Sequence, residues 1–432
     1  YPQFRDSAEW KNYALRKLSD EMTTQVYPDG FQYELTTGYH QTVIIHYQSI
    51  INLCNAYNEP VPEPFRVYLE KANEVNLKLM MPDGRLPDLN DGGWHNVSSI
   101  LSKGAVELFP HRKDFLWAAT EGREGNPPEE TSTAFPYAGY YVMRTGWEKD
   151  AVWTVFDAGP FGKAHQHEDK LNLLVHAYGN MLLTEAGNYA YDTSKMREYV
   201  LSTRAHNTVR VDGYDQNRRT GYSWKDEDIN RPAGALWHTC DEFDYSEGTY
   251  DEGYGPEAKK LALHNRRVIF LKKQAALPGP CFLVVDRLKP SDDASHAYEV
   301  LWHLDTNTAR AEGINVWSGN VDLANLAIIP AESNSLSLAL AQGQEEPEWQ
   351  GWKSVERRLQ GQFEPISTAV YNWSGNGPAK IVTLLYPVAA GGECPVERVE
   401  ASADEADDLI KLVFKDGNSV ELHEDYFRRW AE

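Results

Sequence analysis

The hydrophobic period changes once along this chain, and that change restricts the fold to helices first and sheets afterwards. In residues 40–57, Val43, Ile44, Tyr47, Ile50, Ile51, Cys54 and Tyr57 recur at three- and four-residue spacing, which places them on one helical face. Residues 65–81 repeat the pattern through Tyr68, Leu69, Ala72, Val75 and Leu79, with Pro64 suited to a first turn and Asp83-Gly84 as the stop. An earlier helix runs from Ser7 through Trp10, Ala14 and Leu18, and a fourth, broken by Gly104 and Pro110, covers 98–119. Residues 121–132 (EGREGNPPEETS) combine Gly, Pro and charge without any period and form the boundary. Beyond it come short β-branched or aromatic runs at 151–158, 171–178, 181–184, 207–212, 266–271 and 281–286, separated by turn residues. Strands in succession without helices between them indicate antiparallel sheets packed as a sandwich. The expectation is an α+β, multidomain chain, with helical hairpins over 1–130 and a β-sandwich over 131–432. Four helices are too few to close a ring of hairpins, so the helical part reads as the later portion of a larger domain. An acidic stretch at 401–408 reads as a solvated segment before a last strand pair.

Charge narrows the partners. Lys and Arg number 42 against 64 Asp and Glu, a formal charge of −22, which argues against nucleic acid or anionic lipid as the main partner. It leaves room for an anionic ligand held by a few cations in one cleft. No apolar run approaches the ~18 residues of a membrane span. The start, Tyr1-Pro2-Gln3-Phe4, shows no signal peptide; a periplasmic or secreted location is expected, with the leader removed before this numbering begins. The four cysteines form no Cys-x-x-Cys pair and read as buried thiols, with one or two structural disulfides left open. Thirteen Trp and 24 Tyr are high counts, and such faces stack on sugar rings as well as fill cores.

The densest polar run is Gly159-Pro-Phe-Gly-Lys-Ala-His165-Gln-His167-Glu168-Asp169-Lys170, a loop between two expected strands. In extended backbone His165 and His167 project to the same side. With Glu185 and His206 on neighbouring strands, two imidazoles and a carboxylate make a three-ligand site for a zinc-like divalent ion, with water completing it. The competing reading is that His167 and His206 are core histidines bonded to backbone.

The run His165-Gln-His167-Glu-Asp-Lys-Leu-Asn-Leu-Leu-Val-His-Ala-Tyr-Gly-Asn-Met-Leu-Leu-Thr-Glu185-Ala-Gly-Asn-Tyr189-Ala-Tyr191 resembles the heparinase II/III-like polysaccharide lyases. So does Ser202-Thr-Arg204-Ala-His206-Asn207-Thr-Val-Arg-Val-Asp-Gly213, and Phe135 to Trp147 looks like the family's entry into its sheet domain. The resemblance implies an incomplete α/α toroid followed by an antiparallel β-sandwich. It also implies β-elimination at a uronic acid, with glycosaminoglycans (heparan, chondroitin, hyaluronan) ahead of alginate-type polymers. That chemistry needs donors aimed at the uronate carboxylate, a Tyr or His base for the C5 proton, and an acid for the leaving oxygen.

Carried over by resemblance, His165 becomes carboxylate neutraliser or base. His167, Glu185 and His206 become ligands of a divalent metal ion, zinc before manganese or calcium; Glu185 stands where the family has Asp. His40 matches the toroid histidine, preceded by Tyr39. Arg144, Arg197 and Arg204 are candidates for the acidic polysaccharide, and a homodimer stays open. One departure matters: relatives carry a catalytic Tyr one hairpin later, and here that loop reads Asp91-Gly-Gly-Trp94-His95-Asn96. Tyr39, Tyr189 or His95 would then serve, with Trp94 as a sugar platform. The alternatives are a non-catalytic glycan-binding relative, and a glycoside hydrolase built on Glu34, Asp88 or Asp91.

Overall fold

The computed structural model describes residues 3–273, 277–333, 335–355, 361–402, 404 and 407–432. Helices α1 (Ser7–Gln25), α2 (Thr37–Ala56) and α3 (Glu63–Leu79) precede three short ones, α4 (Val97–Leu101), α5 (Ala105–Leu108) and α6 (Lys113–Ala119). Helix α2 begins where Thr36 turns extended and its hydroxyl accepts from the Tyr39 N–H at 3.0 Å, a side-chain N-cap. The break between α4 and α5 has a steric cause. Gly104 takes φ +148°, and a Cβ there would fall 1.2 Å from the Gln48 amide nitrogen of α2, so only glycine passes.

The strands begin with β1 (Thr133–Phe135), β2 (Tyr140–Arg144), β3 (Trp153–Asp157), β4 (Leu173–Ala177) and β5 (Asn180–Leu183). Helix α7 (Lys195–Leu201) and β6 (Val209–Val211) follow. Among the described residues there are two large antiparallel sheets, of nine and eight strands. The nine-stranded sheet runs β1 to β5 in order, then Ser295–Leu304, Ser367–Asn376 and Leu336–Gln342, with β6 also pairing Ser295–Leu304. The eight-stranded sheet centres on Cys281–Pro290 and Ala379–Val388.

Three apolar cores stack these layers. On β2, Tyr140 and Val142 face the helices while Tyr141 and Met143 face the second sheet. On Cys281–Pro290, Phe282, Val284 and Leu288 join the core between the sheets, and Cys281, Leu283 and Val285 the one beyond. Both faces of the central strands are therefore covered, which explains why those runs are continuously apolar rather than alternating. Beyond the second sheet lie three strands, Val396–Ala401, Leu409–Phe414 and Ser419–His423, and helix α8 (Glu424–Ala431). The expected last strand pair is thus three strands and a helix; of the acidic stretch before them, residues 403, 405 and 406 lie outside the described residues. All four cysteines are free thiols. No described helix is long and apolar enough to cross a membrane.

Arg144 corrects an expectation. It is 1% exposed at the end of β2, and its guanidinium donates to Lys78 O at 2.7 Å and Met80 O at 2.9 Å. It satisfies carbonyls left open at the C-terminus of α3, and burial lowers its pKa to about 9. A side chain so enclosed ties the helices to the sheet and does not reach a sugar.

Candidate active site

Four segments meet where the helical layer joins the first sheet: the start of α2, the loop 85–96, the loop 158–172 and the segment 184–194. Asn90, held at φ +55°, stitches three of them. Its amide donates to Leu35 O at 3.0 Å, and its carbonyl oxygen accepts from the His167 N–H at 2.9 Å. Asp91 N–H donates to His165 O at 3.2 Å, and Asn188 N–H donates to Asp88 Oδ2 at 3.2 Å.

This framework places His165 against Tyr39. Their rings stack at 3.8 Å between centroids and 17° between planes. Tyr39 and Tyr191 bring their hydroxyls to 3.0 Å, and His165 Nδ1 donates to Glu34 Oε2 at 3.0 Å. His165 keeps 28% of its side chain exposed and Tyr191 is 55% exposed, so the cluster opens to solvent. Imidazole, two phenols and a carboxylate at hydrogen-bond range can move a proton and hold an anion.

His165 and His167 do not project to one side. His165 adopts φ +61°, which breaks the two-residue alternation of an extended strand. His165 turns to the tyrosines, while His167 Nε2 donates to Asp91 Oδ1 at 3.1 Å in the buried interior. Asp91 is also gripped by Arg197 through both carboxylate oxygens, at 2.6 and 2.9 Å. Burial alone would raise the Asp91 carboxyl; His167 and Arg197 outweigh it and hold it well below the usual carboxylate range. Arg197 is therefore committed to Asp91 and is not a free cation for substrate.

Behind this pair, donor atoms of Asp169, Glu185 and His206 lie within 4.8 Å of one another, all buried. His206 Nδ1 lies 2.8 Å from Glu185 Oε2, and its Nε2 donates to Val200 O at 3.1 Å. Burial would lower the His206 pKa, but the Glu185 contact and charge, with Asp169 behind them, raise it. Glu185 Oε1 and His167 Nδ1 are buried with no hydrogen-bond partner among the described residues. Burial, then the Asp169 carboxylate, pushes Asp157 up to about 8. Crowded carboxylates, an unpaired carboxylate oxygen and an imidazole fit a divalent cation, with Asp169 in the place expected of His167, which lies outside this group of donor atoms. Asn172 and Asn207 brace the cluster. Asn172 donates to Glu185 Oε2 at 2.8 Å, and Asn207 donates to Leu173 O at 2.8 Å and Thr184 O at 2.6 Å.

The remaining sequence candidates lie elsewhere. His40 is 2% exposed, with Nε2 on Ala72 O at 2.9 Å and Nδ1 near the Gln32 N–H, and burial lowers its pKa to about 4. It is a core histidine and not a catalytic one. Tyr189 packs edge-on to Phe363 at 6.0 Å, in the aromatic cluster with Trp349 and Trp352, away from the proton-transfer group. Arg204 pairs with Glu348 at 3.2 Å and Asp215 at 3.8 Å, an ion pair rather than a sugar-binding cation. Trp94 and His95 do share a surface. With Gly38, Gln41, Thr42 and Ile45 they line a groove of about 400 Å³ along α2, and Arg85 covers one face of Trp94 at 4.1 Å. Glu34 and Asp91 are both engaged with cationic or imidazole partners, which leaves no free carboxylate pair of the hydrolytic kind among them. Two residues were not singled out from the sequence, Tyr191 and Asp169. Both stand in loops, where no strand alternation tells which way a side chain points.

A family model described as heparinase II/III-like, C-terminal, matches residues 127–390, and one described as heparinase II/III N-terminus matches residues 1–117. A heparin-sulfate lyase of Pedobacter heparinus is 27% identical over 295 residues, covering 66% of this chain and 41% of that protein. One of Bacteroides stercoris is 27% identical over 237 residues, covering 52% and 36%. The crystal structure of heparan sulfate lyase HepC from Pedobacter heparinus superposes with a TM-score of 0.77 at 22% identity, over 98% of this chain and 63% of that one. A crystal structure of heparinase III gives 0.77 at 16% identity, over 98% and 64%. At these identities the superpositions show a shared fold. The chain spans less than two thirds of the length of each of these relatives.

Proposed function

Since this chain belongs to the heparinase II/III-like family, we propose that it is a polysaccharide lyase cleaving a uronic-acid-containing glycosaminoglycan of the heparan type by β-elimination. The observation that carries the reading is the Tyr39–His165–Tyr191 cluster, open to solvent where the helical layer meets the first sheet. Glu34 orients His165 through Nδ1 and leaves the other ring nitrogen for the uronate carboxylate. Neutralising that carboxylate acidifies the C5 proton. One tyrosine, entering as phenolate, takes this proton as the C4–O4 bond breaks and the C4–C5 double bond forms, and the other, a neutral phenol, donates its proton to O4. Their 3.0 Å contact lets the proton pass back between the oxygens, which restores both groups. The groove beside Trp94 and His95 takes neighbouring sugars, with Trp94 as the apolar platform. The helices correspond to the later part of an α/α toroid, and the site of action is periplasmic or extracellular.

Asp169, Glu185 and His206 would hold a divalent cation, zinc or manganese in keeping with the mixed donor set. Bound there, the cation supplies fixed positive charge that ties the loop bearing His165 to the strands. Excess zinc or manganese is expected to raise the thermal midpoint of the wild type, by about 2.7 kcal/mol of stability at a hundredfold excess over Kd. It should leave Glu185→Ala unmoved; an equal shift in both proteins would contradict the assignment.

The activity is tested by incubating the protein, cation supplied, with separate glycosaminoglycan, alginate and plant uronate polymers. A conjugated C4–C5 double bond appears as a gain in ultraviolet absorbance, expected first with heparan-type chains. No gain with any polymer would reject the lyase reading.

A further inference from the structure

Arg197 is engaged on two sides. Its two terminal nitrogens hold the Asp91 carboxylate, and its guanidinium carbon lies over the Tyr191 ring, 4.8 Å from the ring centre. The chain between them folds back sharply: Ser194 N–H and Oγ both bond to Asp192 Oδ1, and Ser194 Oγ then caps α7 at the Arg197 N–H. Tyr191 is a half-exposed side chain on a loop, with its hydroxyl on Tyr39 and its ring beside His165. A cation against its π-face holds the ring there and favours a developing phenolate. The bidentate carboxylate matters because it fixes the guanidinium in place over the ring.

We infer that Asp91 and Arg197 are positioning residues for Tyr191, anchored on the buried His167, whose ring lies 5.3 Å from that of His206. The continuous path runs from His167 Nε2 to Asp91 Oδ1, from Asp91 to the Arg197 guanidinium, from there to the Tyr191 ring, and from the Tyr191 hydroxyl to Tyr39. Arg197 is buried and held by Asp91, so it acts on the reaction only through the tyrosine. This inference rests on the lyase reading and adds to it a role for an arginine that binds no substrate.

The test compares Arg197→Lys, Asp91→Asn, Tyr191→Phe and the double variant Arg197→Lys/Tyr191→Phe on the polymer chosen by the ultraviolet screen. Lysine keeps the charge but cannot grip both carboxylate oxygens and face the ring together. Arg197→Lys is expected to lose kcat by about tenfold or more with KM within about twofold. The double variant should turn over within about twofold of Tyr191→Phe alone, because the two changes remove one device. Should Arg197→Lys fail to fold, the near-isosteric Asp91→Asn, read by the same split between kcat and KM, decides. Unchanged kcat, a loss carried by KM, or losses that multiply in the double variant would overturn the inference. A wild type that forms no unsaturated product overturns the lyase reading and this role with it.

Discussion

His165→Ala is expected to lower turnover by about a thousandfold while leaving the thermal midpoint within a degree or two of wild type. The size follows from the position of the imidazole. It stacks on Tyr39, bonds to Glu34 and faces solvent, so its loss removes both the group opposite the uronate carboxylate and the wall that holds Tyr39. The small stability cost follows from exposure, since no buried partner is left without its bond apart from a carboxylate that water can reach. His167→Ala should lower the thermal midpoint as well, because its ring is buried and bonded to Asp91. A His165→Ala protein that kept a tenth or more of wild-type turnover would remove His165 from the chemistry.

The largest expected loss of stability lies behind the site, at Arg266. This fully buried guanidinium donates to Asp286 Oδ1 at 2.7 Å and Oδ2 at 3.0 Å. It also donates to Leu171 O at 2.8 Å and to Asn207 O, and lies over the Trp302 ring at 4.9 Å. Burial would raise the Asp286 carboxyl, yet Arg266 and His264 hold it down to about 2. Arg266→Ala therefore leaves a buried carboxylate with only His264 and strands two backbone carbonyls. Breaking a buried pair in this way costs about 3–5 kcal/mol. Leu171 and Asn207 flank the segments that carry Asn172 and His206, so the acidic cluster should loosen with the fold. Chemical denaturation checks this: a midpoint within error of wild type would show that Arg266 carries no such load.

The layers were readable from the sequence because burial is periodic. Residues 40–57 pointed to α2 within three residues of its ends, and the break at Gly104 was visible because glycine marks a place where no Cβ fits. Helices α7 and α8 escaped notice, being too short for a 3.6-residue period to stand out. The cation cluster was half readable. Glu185 and His206 come from segments joined by the Ala186 N–H to Ala205 O bond, as neighbouring strands suggested, but Asp169 was hidden in a loop whose path is redirected by left-handed residues at Gly162, His165 and Leu171. The arginines were misread for a physical reason. Positive charge suits an acidic polymer, but sequence does not reveal that Asp91, 106 positions away, already holds Arg197, or that carbonyls of α3 hold Arg144. Tyr191 became visible only once the turn at Asp192–Ser194 brought it over Arg197.

In the proposed reaction Tyr39, His165 and Tyr191 carry out an elimination in which water takes no part. Running the reaction on a heparan-type polymer in ¹⁸O-labelled water, then weighing the fragments, tests it most directly. Elimination predicts fragments whose new ends carry a C4–C5 double bond and no heavy oxygen. Fragments that are saturated at the new end and heavier by one ¹⁸O would mean that water had cleaved the bond, and the account given for these three residues would be wrong.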